Sequence, residues 1–353
     1  MGITKLCDLI RREAPNSVSY KEISDYTGKV IAVDTSIVLN QFRTAVPGIH
    51  NRNGVNLSPF TGLFYRTLHF LEHDIKPVFV FDGCPPAQKK TVLEKRAKAA
   101  GMTGSYRYNP VSTKIQDCQR LLKLLGVPYI QAPGDGEALC AQLVKEGKVD
   151  AVASEDMDTM AFGSNLLIRQ LNAKKSSEVT EYSLPKLLAA LKLKYEEFID
   201  LCILLGCDYC EKIQGLGPKK ALALIQQHKT IENVVLNINR RTHPVPQCWR
   251  YRDARRLFME TPVGNEPDLA WAEPNEDGLV NFLCHEKHVK VDRVRGRMEK
   301  FRQNLKERRR EREEDKKAGK SQQTRMEDFF RVTRKRQASE VPDATHKKRA
   351  KHQ

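Results

Sequence analysis

The sequence predicts an α/β protein: a mostly parallel twisted sheet flanked by helices, then a helical region, then a disordered basic C-terminal tail. Three observations carry this expectation. Short β-branched apolar runs at 30–33, 77–81, 127–130, 151–153 and 166–168 alternate with amphipathic stretches, the rhythm of strands covered on both faces by helices. From residue 183 onward the strand pattern stops and helical periodicity takes over. Beyond about residue 306 the run RRRERE and the Lys-rich segment after it hold too little apolar surface to fold by themselves.

Each element has local grounds. Helices between the strands are expected at 60–72, 114–125 and 137–146, the last opening after Pro133-Gly134-Asp135, where a turn hands over to a helix start. In the second half, 194–205 and 218–228 keep an apolar face, and the latter begins with proline at a position where its missing N–H costs nothing. Between Arg96 and Ser112, Gly101, Gly104 and Asn109-Pro110 break any helix, so this stretch reads as a loop or a short arch.

Charge is distributed unevenly. Of the formal +16 over 353 residues, the stretch from Lys287 to the C-terminus carries +13, with 24 Lys and Arg against 11 Asp and Glu, and leaves a nearly neutral body. A basic tail suits a polyanion partner, a solvated terminus or an import signal equally well. The nine cysteines are odd in number and scattered from Cys7 to Cys284, which argues against a disulfide framework and for a reducing compartment. Cys207 and Cys210 form a lone C-x-x-C without the second ligand pair zinc needs, so both are expected as ordinary part-buried thiols. No apolar stretch approaches the roughly 20 residues that cross a bilayer, and Met1-Gly2 lacks the Ser or Thr of a myristoylation signal at position 6. No membrane partner is expected.

The chemistry lies in acids placed at strand ends. Asp34 closes the run KVIAVD and Asp82 closes PVFVFD, which sets both at the C-terminal edge of the sheet, where open α/β sheets gather their ligands. Asp135 and Glu137 stand where a strand yields to a helix, Asp156 and Asp158 follow DAVAS, and Asp208 ends LCILLGCD. Any one of them alone could be a helix cap or an exposed loop acid. Seven together would repel one another, since like charges 4 Å apart cost about 4 kcal/mol at an effective dielectric near 20. Cations must intervene. All-oxygen ligands without His or Cys favour Mg2+, with Mn2+ as a substitute. Two such ions about 4 Å apart can activate water, hold a scissile phosphate and stabilise the leaving oxygen, which makes phosphodiester hydrolysis the natural reaction.

At this point the motifs resemble a known family. MGITKL at the start, VDTS around Asp34, FVFDG at Asp82, the helix at Glu137, SEDMD at Asp156 and Asp158, LCILLGCDYC at Asp208 and GLGPKKAL from Gly215 are similar to the eukaryotic flap endonucleases, over nearly the whole chain. The resemblance implies a PIN-like nuclease core and the seven acids as ligands of two Mg2+ ions. It further implies incision of flap and nicked or gapped DNA at single-strand/double-strand junctions, with both endonuclease and 5′-3′ exonuclease action in replication and repair. Lys89 and Arg96 occupy the positions of the basic pair that stabilises the scissile phosphate. Gly2 falls where the family uses its processed N-terminus and Arg66 where it contacts DNA. Gly215, Gly217, Lys219 and Lys220 resemble the helix-two-turn-helix that grips duplex backbone with an accompanying K+, and glycine amides at a helix start can approach a phosphate closely. The organisation implied is an N-terminal nuclease region at 1–105, an internal nuclease region at 106–286, a basic helical or linker region at 287–320 and a tail at 321–353.

The tail has motifs of its own. Gln323, Met326, Phe329 and Phe330 fit the pattern Q-x-x-[LMI]-x-x-F-F that resembles the ligand of the sliding clamp, proliferating cell nuclear antigen. One helical turn would bring Met326 and both phenylalanines to one side. Arg334-Lys335-Arg336 and Lys347-Lys348-Arg349 resemble nuclear import signals. A nuclear monomer is expected.

Several positions depart from the family pattern: Asp135 stands for Glu, Asn40 for a base-stacking Tyr, Pro47 for a basic residue and Cys207 for Ser, and the arch after Arg96 is short. Tyr106, Arg107 and Tyr108 are expected to form an open, stacking-capable lip. Two readings stay open: an active flap nuclease, or a catalytically weak relative that binds junctions and the clamp. Retention of all seven acids favours the first.

Overall fold

The computed structural model describes residues 2–45, 50, 54, 57–99, 112–171, 178–260 and 269–317. Among the described residues seven strands form one sheet: β1 (Val18–Lys21), β2 (Val30–Asp34), β3 (Lys76–Phe81), β4 (Tyr129–Gln131), β5 (Ala151–Ala153), β6 (Leu166–Arg169) and β7 (Val179–Ser183). Their order is β1-β7-β6-β5-β2-β3-β4. The five strands β6, β5, β2, β3 and β4 run parallel, while β7 pairs antiparallel with β6 and β1 antiparallel with β7. All five strands expected from the apolar runs are present. The two antiparallel edge strands lack that signal, because VSYK and VTEYS mix polar and apolar residues.

Helices cover the sheet. They are α1 (Leu6–Glu13), α2 (Thr35–Ala45), α3 (Ser58–Glu72), α4 (Lys90–Ala99), α5 (Thr113–Leu124), α6 (Gly136–Lys145) and α7 (Asp158–Ala161). A helical block follows: α8 (Leu184–Leu191), α9 (Tyr195–Leu205), α10 (Pro218–His228), α11 (Ile231–Asn237), α12 (Tyr251–Met259), α13 (Glu276–Val280) and α14 (Val291–Lys317). One core runs through both parts, from Val78, Val80 and Val152 in the strands to Phe198, Leu201, Ile225 and Phe258 in the helices. A half-buried ion pair joins three of these helices: Arg255 donates to both oxygens of Asp200 at 2.7 Å, and Ile231 N–H donates to the same carboxylate.

Residues Met1–Arg302 form one compact unit and Gln303–Gln353 a second. Strands β1–β3 precede residue 105 and β4–β7 follow it, so the two expected nuclease regions share a single sheet. In the second unit α14 continues through RRRERE to Lys317, inside the stretch 287–320 expected as a basic helical or linker region although its apolar content ends near residue 306. Arg, Glu and Lys are good helix formers, and their alternation supports pairs of opposite charge three and four residues apart. Among the described residues no helix is long and apolar enough to cross a membrane.

The chain passes from β2 to β3 and β4 on one side, then to β5 and β6 on the other. The strand order therefore reverses between β2 and β5, the position where open α/β sheets place a ligand crevice outside the carboxyl ends. Asp34 ends β2, Asp82 follows β3, Asp135 follows β4 and Asp156 follows β5.

Candidate active site

Each acid is fixed by the element that carries it. Asp34 is 1% exposed; its Oδ1 accepts the N–H groups of Ser36 and Ile37 at the start of α2, and its Oδ2 accepts the Ser154 hydroxyl at 3.0 Å. Asp82 accepts the Ser36 hydroxyl and the Gly136 N–H, the latter at 2.8 Å, so the first turn of α6 is tied to the end of β3. Asp156 accepts the Asp158 N–H at 3.0 Å while its own N–H donates to Ser154 Oγ. The two serines thus bridge neighbouring strand ends.

Asp135 precedes α6, yet its side chain makes no cap bond. Oδ1 accepts Lys89 Nζ at 3.0 Å and Oδ2 accepts the Tyr209 hydroxyl at 2.6 Å. The Tyr209 ring lies 5.2 Å from Phe258 and 6.0 Å from Phe162, and Lys89 Nζ stands 5.7 Å from its centroid. Burial, reinforced by Asp135, raises the Tyr209 pKa and keeps its hydroxyl a donor. Nothing in the spacing of the motifs pointed to Tyr209, although it lies within LCILLGCDYC.

The crowding appears directly in the acidities. Burial first, then Asp82, pushes the Asp34 carboxyl up to about 7, against the opposing hydrogen bonds of Ser154 and Ile37. Burial and then Asp34 raise Glu137 well above the ordinary carboxylate range, with Lys89 opposing, and burial followed by Asp156 and Asp208 does the same for Asp158. Asp156 is raised by burial as well. Lys89 feels the reverse: burial works against its charge, but Glu137, Asp135 and Asp158 outweigh it and raise its pKa. These mutual influences link all seven acids and Lys89 into one electrostatic cluster. Glu137 Oε2 and Asp158 Oδ1 are buried without a hydrogen-bond partner. Orphaned carboxylate oxygens in a raised, crowded, all-oxygen set are what a hard divalent cation would satisfy. Among the described residues no three acid, His or Cys side chains already form a metal-holding group. Oxygens of Asp34, Asp82, Asp135 and Asp156 are turned instead to serines, backbone amides, Lys89 and Tyr209.

The remaining candidates divide. Gly2 has φ +76°, and any side chain there would run into the carboxylates of Asp156 and Asp158, so its backbone borders the acid cluster. Arg66 is 6% exposed, donates to Gln41 Oε1 at 3.0 Å and stacks 4.5 Å from the Phe42 ring, and burial lowers its pKa to about 10. Arg96 lies in α4; the Tyr106, Arg107 and Tyr108 lip, Pro47, Gln323, Met326, Phe329 and Phe330 fall outside the described residues. Away from the acids, Gly215 has φ +72° and Gly217 immediately precedes α10, with Lys219 and Lys220 exposed. Lys220 Nζ donates to His243 Nε2 at 2.6 Å, which leaves the proton of a neutral ring on Nδ1, facing Gln214 O. His243, missed in the sequence, therefore braces the glycine turn.

Comparison with known proteins accords with this geometry. Residues 1–101 match the XPG N-terminal domain and residues 126–208 the XPG I-region. The probable flap endonuclease 1 homolog of Danio rerio is 63% identical over 338 residues, spanning 96% of this chain and 95% of that protein. The chain belongs to the flap endonuclease family. Flap endonuclease 1 of Danio rerio is 41% identical over 360 residues, 94% of this chain and 91% of its own length. Among solved structures, the flap endonuclease-1 from Methanococcus jannaschii superposes with a TM-score of 0.68 at 27% identity, over 82% of this chain and 97% of its own. The catalytic core of Rad2 in complex with DNA substrate gives 0.68 at 25%, over 83% and 98%. The family is in general one of divalent-metal-dependent nucleases, and the donor set found here fits that chemistry.

A pH dependence follows from Asp34. Its proton stays on to about pH 7 in the fold against an ordinary value of 3.8. The folded chain therefore binds more protons than the unfolded chain in that window, and stability falls as pH rises through it. Asn cannot ionise. In chelator-treated protein, Asp34→Asn should gain on wild type from pH 4 to pH 7, by on the order of a few kcal/mol. Denaturant titrations across that range check this, and a constant difference would contradict it.

Proposed function

We propose that this chain is a structure-specific 5′-flap endonuclease and 5′-3′ exonuclease that hydrolyses DNA phosphodiesters at single-strand/double-strand junctions, in replication and repair. The observation that carries it is the cluster of seven acids at the switch point of the sheet, with Lys89 held among them, in a member of this family. Two Mg2+ ions, or Mn2+, would be held by Asp34, Asp82, Asp135, Glu137, Asp156, Asp158 and Asp208. When bound they supply the Lewis acidity that activates water and offsets phosphate charge. The chain's own residues do the rest. Lys89 is kept protonated by the surrounding acids and is largely covered, with 12% side-chain exposure, so it can offer charge to a phosphate with little further desolvation. Arg96, one helical stretch further on, supplies the second positive group.

The glycine turn before α10 supports a backbone grip on duplex DNA, with Lys219 and Lys220 adding charge and K+ as a candidate bridging ion. Such contacts give affinity and register without reading sequence. The second reading, a weak junction binder, draws on one observation: both oxygens of Asp135 are engaged by Lys89 and Tyr209. Clamp binding through Gln323, Met326, Phe329 and Phe330, and entry to the nucleus through the two basic clusters, complete the proposal on sequence grounds.

Asp156→Ala should abolish cleavage of a labelled 5′ flap in Mg2+ while leaving junction affinity nearly unchanged, because the grip lies elsewhere. Equal cleavage by variant and wild type across Mg2+ concentrations would remove Asp156 from the site; an inactive wild type would favour the weak binder. Phe329→Ala combined with Phe330→Ala should eliminate calorimetric binding to the clamp and leave clamp-free cleavage intact. Unchanged clamp affinity would refute the tail assignment.

A further inference from the structure

Asp208 and Tyr209 lie between two thiols. The Sγ atoms of Cys207 and Cys210 stand 3.8 Å apart, about van der Waals contact for sulfur, and both residues are half-buried. The segment is a turn: α9 ends at Leu205, α10 begins at Pro218, and Gly206 at φ +108° redirects the chain between them. A disulfide needs sulfurs about 2.05 Å apart, so closing this contact requires an approach of under about 2 Å. No helical hydrogen bonds have to break for it.

The residues enclosed by the pair are the ones the acid cluster depends on. Tyr209 holds Asp135 by the 2.6 Å bond, and Asp208 is 8% exposed and acts electrostatically on Asp156 and Asp158. Contracting the turn displaces a candidate metal ligand and the residue that orients Asp135 in one movement.

We propose that Cys207 and Cys210 are a modification site, forming a reversible disulfide that switches the acid site off. The partner is a low-molecular-weight disulfide such as oxidised glutathione. One cysteine, as thiolate, attacks a sulfur of that disulfide, forms a mixed disulfide and releases one small thiol. The second cysteine attacks the protein-side sulfur, closes the bond and releases the other. Two protein thiols are oxidised, one small disulfide is reduced to two thiols, and both protons leave with them. In reducing compartments such bonds are transient and redox-sensing, which suits the nuclear site proposed above. The cleavage arm of this inference rests on the nuclease reading and the Mn2+ arm on the metal site proposed with it; the peptide arm rests on neither.

The test poises full-length protein in glutathione buffers of increasing oxidation and follows three readouts: peptide mass, Mn2+ affinity and 5′-flap cleavage. Oxidation should produce a Cys207–Cys210 peptide lighter by two hydrogens. Mn2+ binding and single-turnover cleavage should weaken roughly 10-fold to 100-fold, the range seen when the supports of metal ligands are disturbed. Excess reduced thiol should restore both. Cys207→Ser and Cys210→Ser should be unresponsive. Absence of the linked peptide at every potential, or its formation with unchanged Mn2+ affinity, would overturn the proposal, as would equal sensitivity of wild type and both variants. A chain that cleaves no flap DNA in any state would count against the nuclease reading, while the peptide and Mn2+ arms would still decide this one.

Discussion

Seven carboxylates at one sheet edge, with one buried lysine among them, set the terms for the rest of this structure. In water such groups would stay ionised and apart. Here the strand ends bring them together, and the repulsion emerges as raised acidities at Asp34, Glu137, Asp156 and Asp158 and a raised lysine at position 89. The arrangement costs stability unless something positive is supplied. A fold that carries this cost has placed the charge for function rather than for packing.

The supports of the cluster show how it is kept from flying apart. The Ser36 and Ser154 hydroxyls donate hydrogen bonds to Asp82 and Asp34 across adjacent strands, and backbone amides at the starts of two helices donate to the same carboxylates. Asp135 is held from both sides by Lys89 and Tyr209. Tyr209 is itself anchored by aromatic contact with Phe162 and Phe258.

Much of this was legible in the residues. The five parallel strands and the helices over 60–72, 114–125, 137–146, 194–205 and 218–228 follow from apolar runs and periodicity, which reflect burial and hence survive in the linear chain. The position of the acids at strand ends was legible for the same reason. Strands β1 and β7 were not, since edge pairing on a half-polar surface leaves no alternation strong enough to see. Tyr209, Ser36, Ser154 and His243 were also hidden, because side-chain hydrogen bonds between residues 74, 46, 120 and 23 positions apart have no local signature. Residue 306 marked the end of apolar content, whereas α14 persists to Lys317 on charge alternation and propensity.

The most direct measurement of the account is thermal denaturation of chelator-stripped protein with and without Mg2+ at neutral pH, for wild type and Asp158→Asn. Crowding relieved by a cation predicts a clear rise in wild-type Tm on adding Mg2+. The variant, whose side chain cannot ionise, should start higher without the ion and respond less to it. A wild-type midpoint indifferent to Mg2+, or an equal rise in the variant, would contradict the claim that these carboxylates are gathered to hold metal.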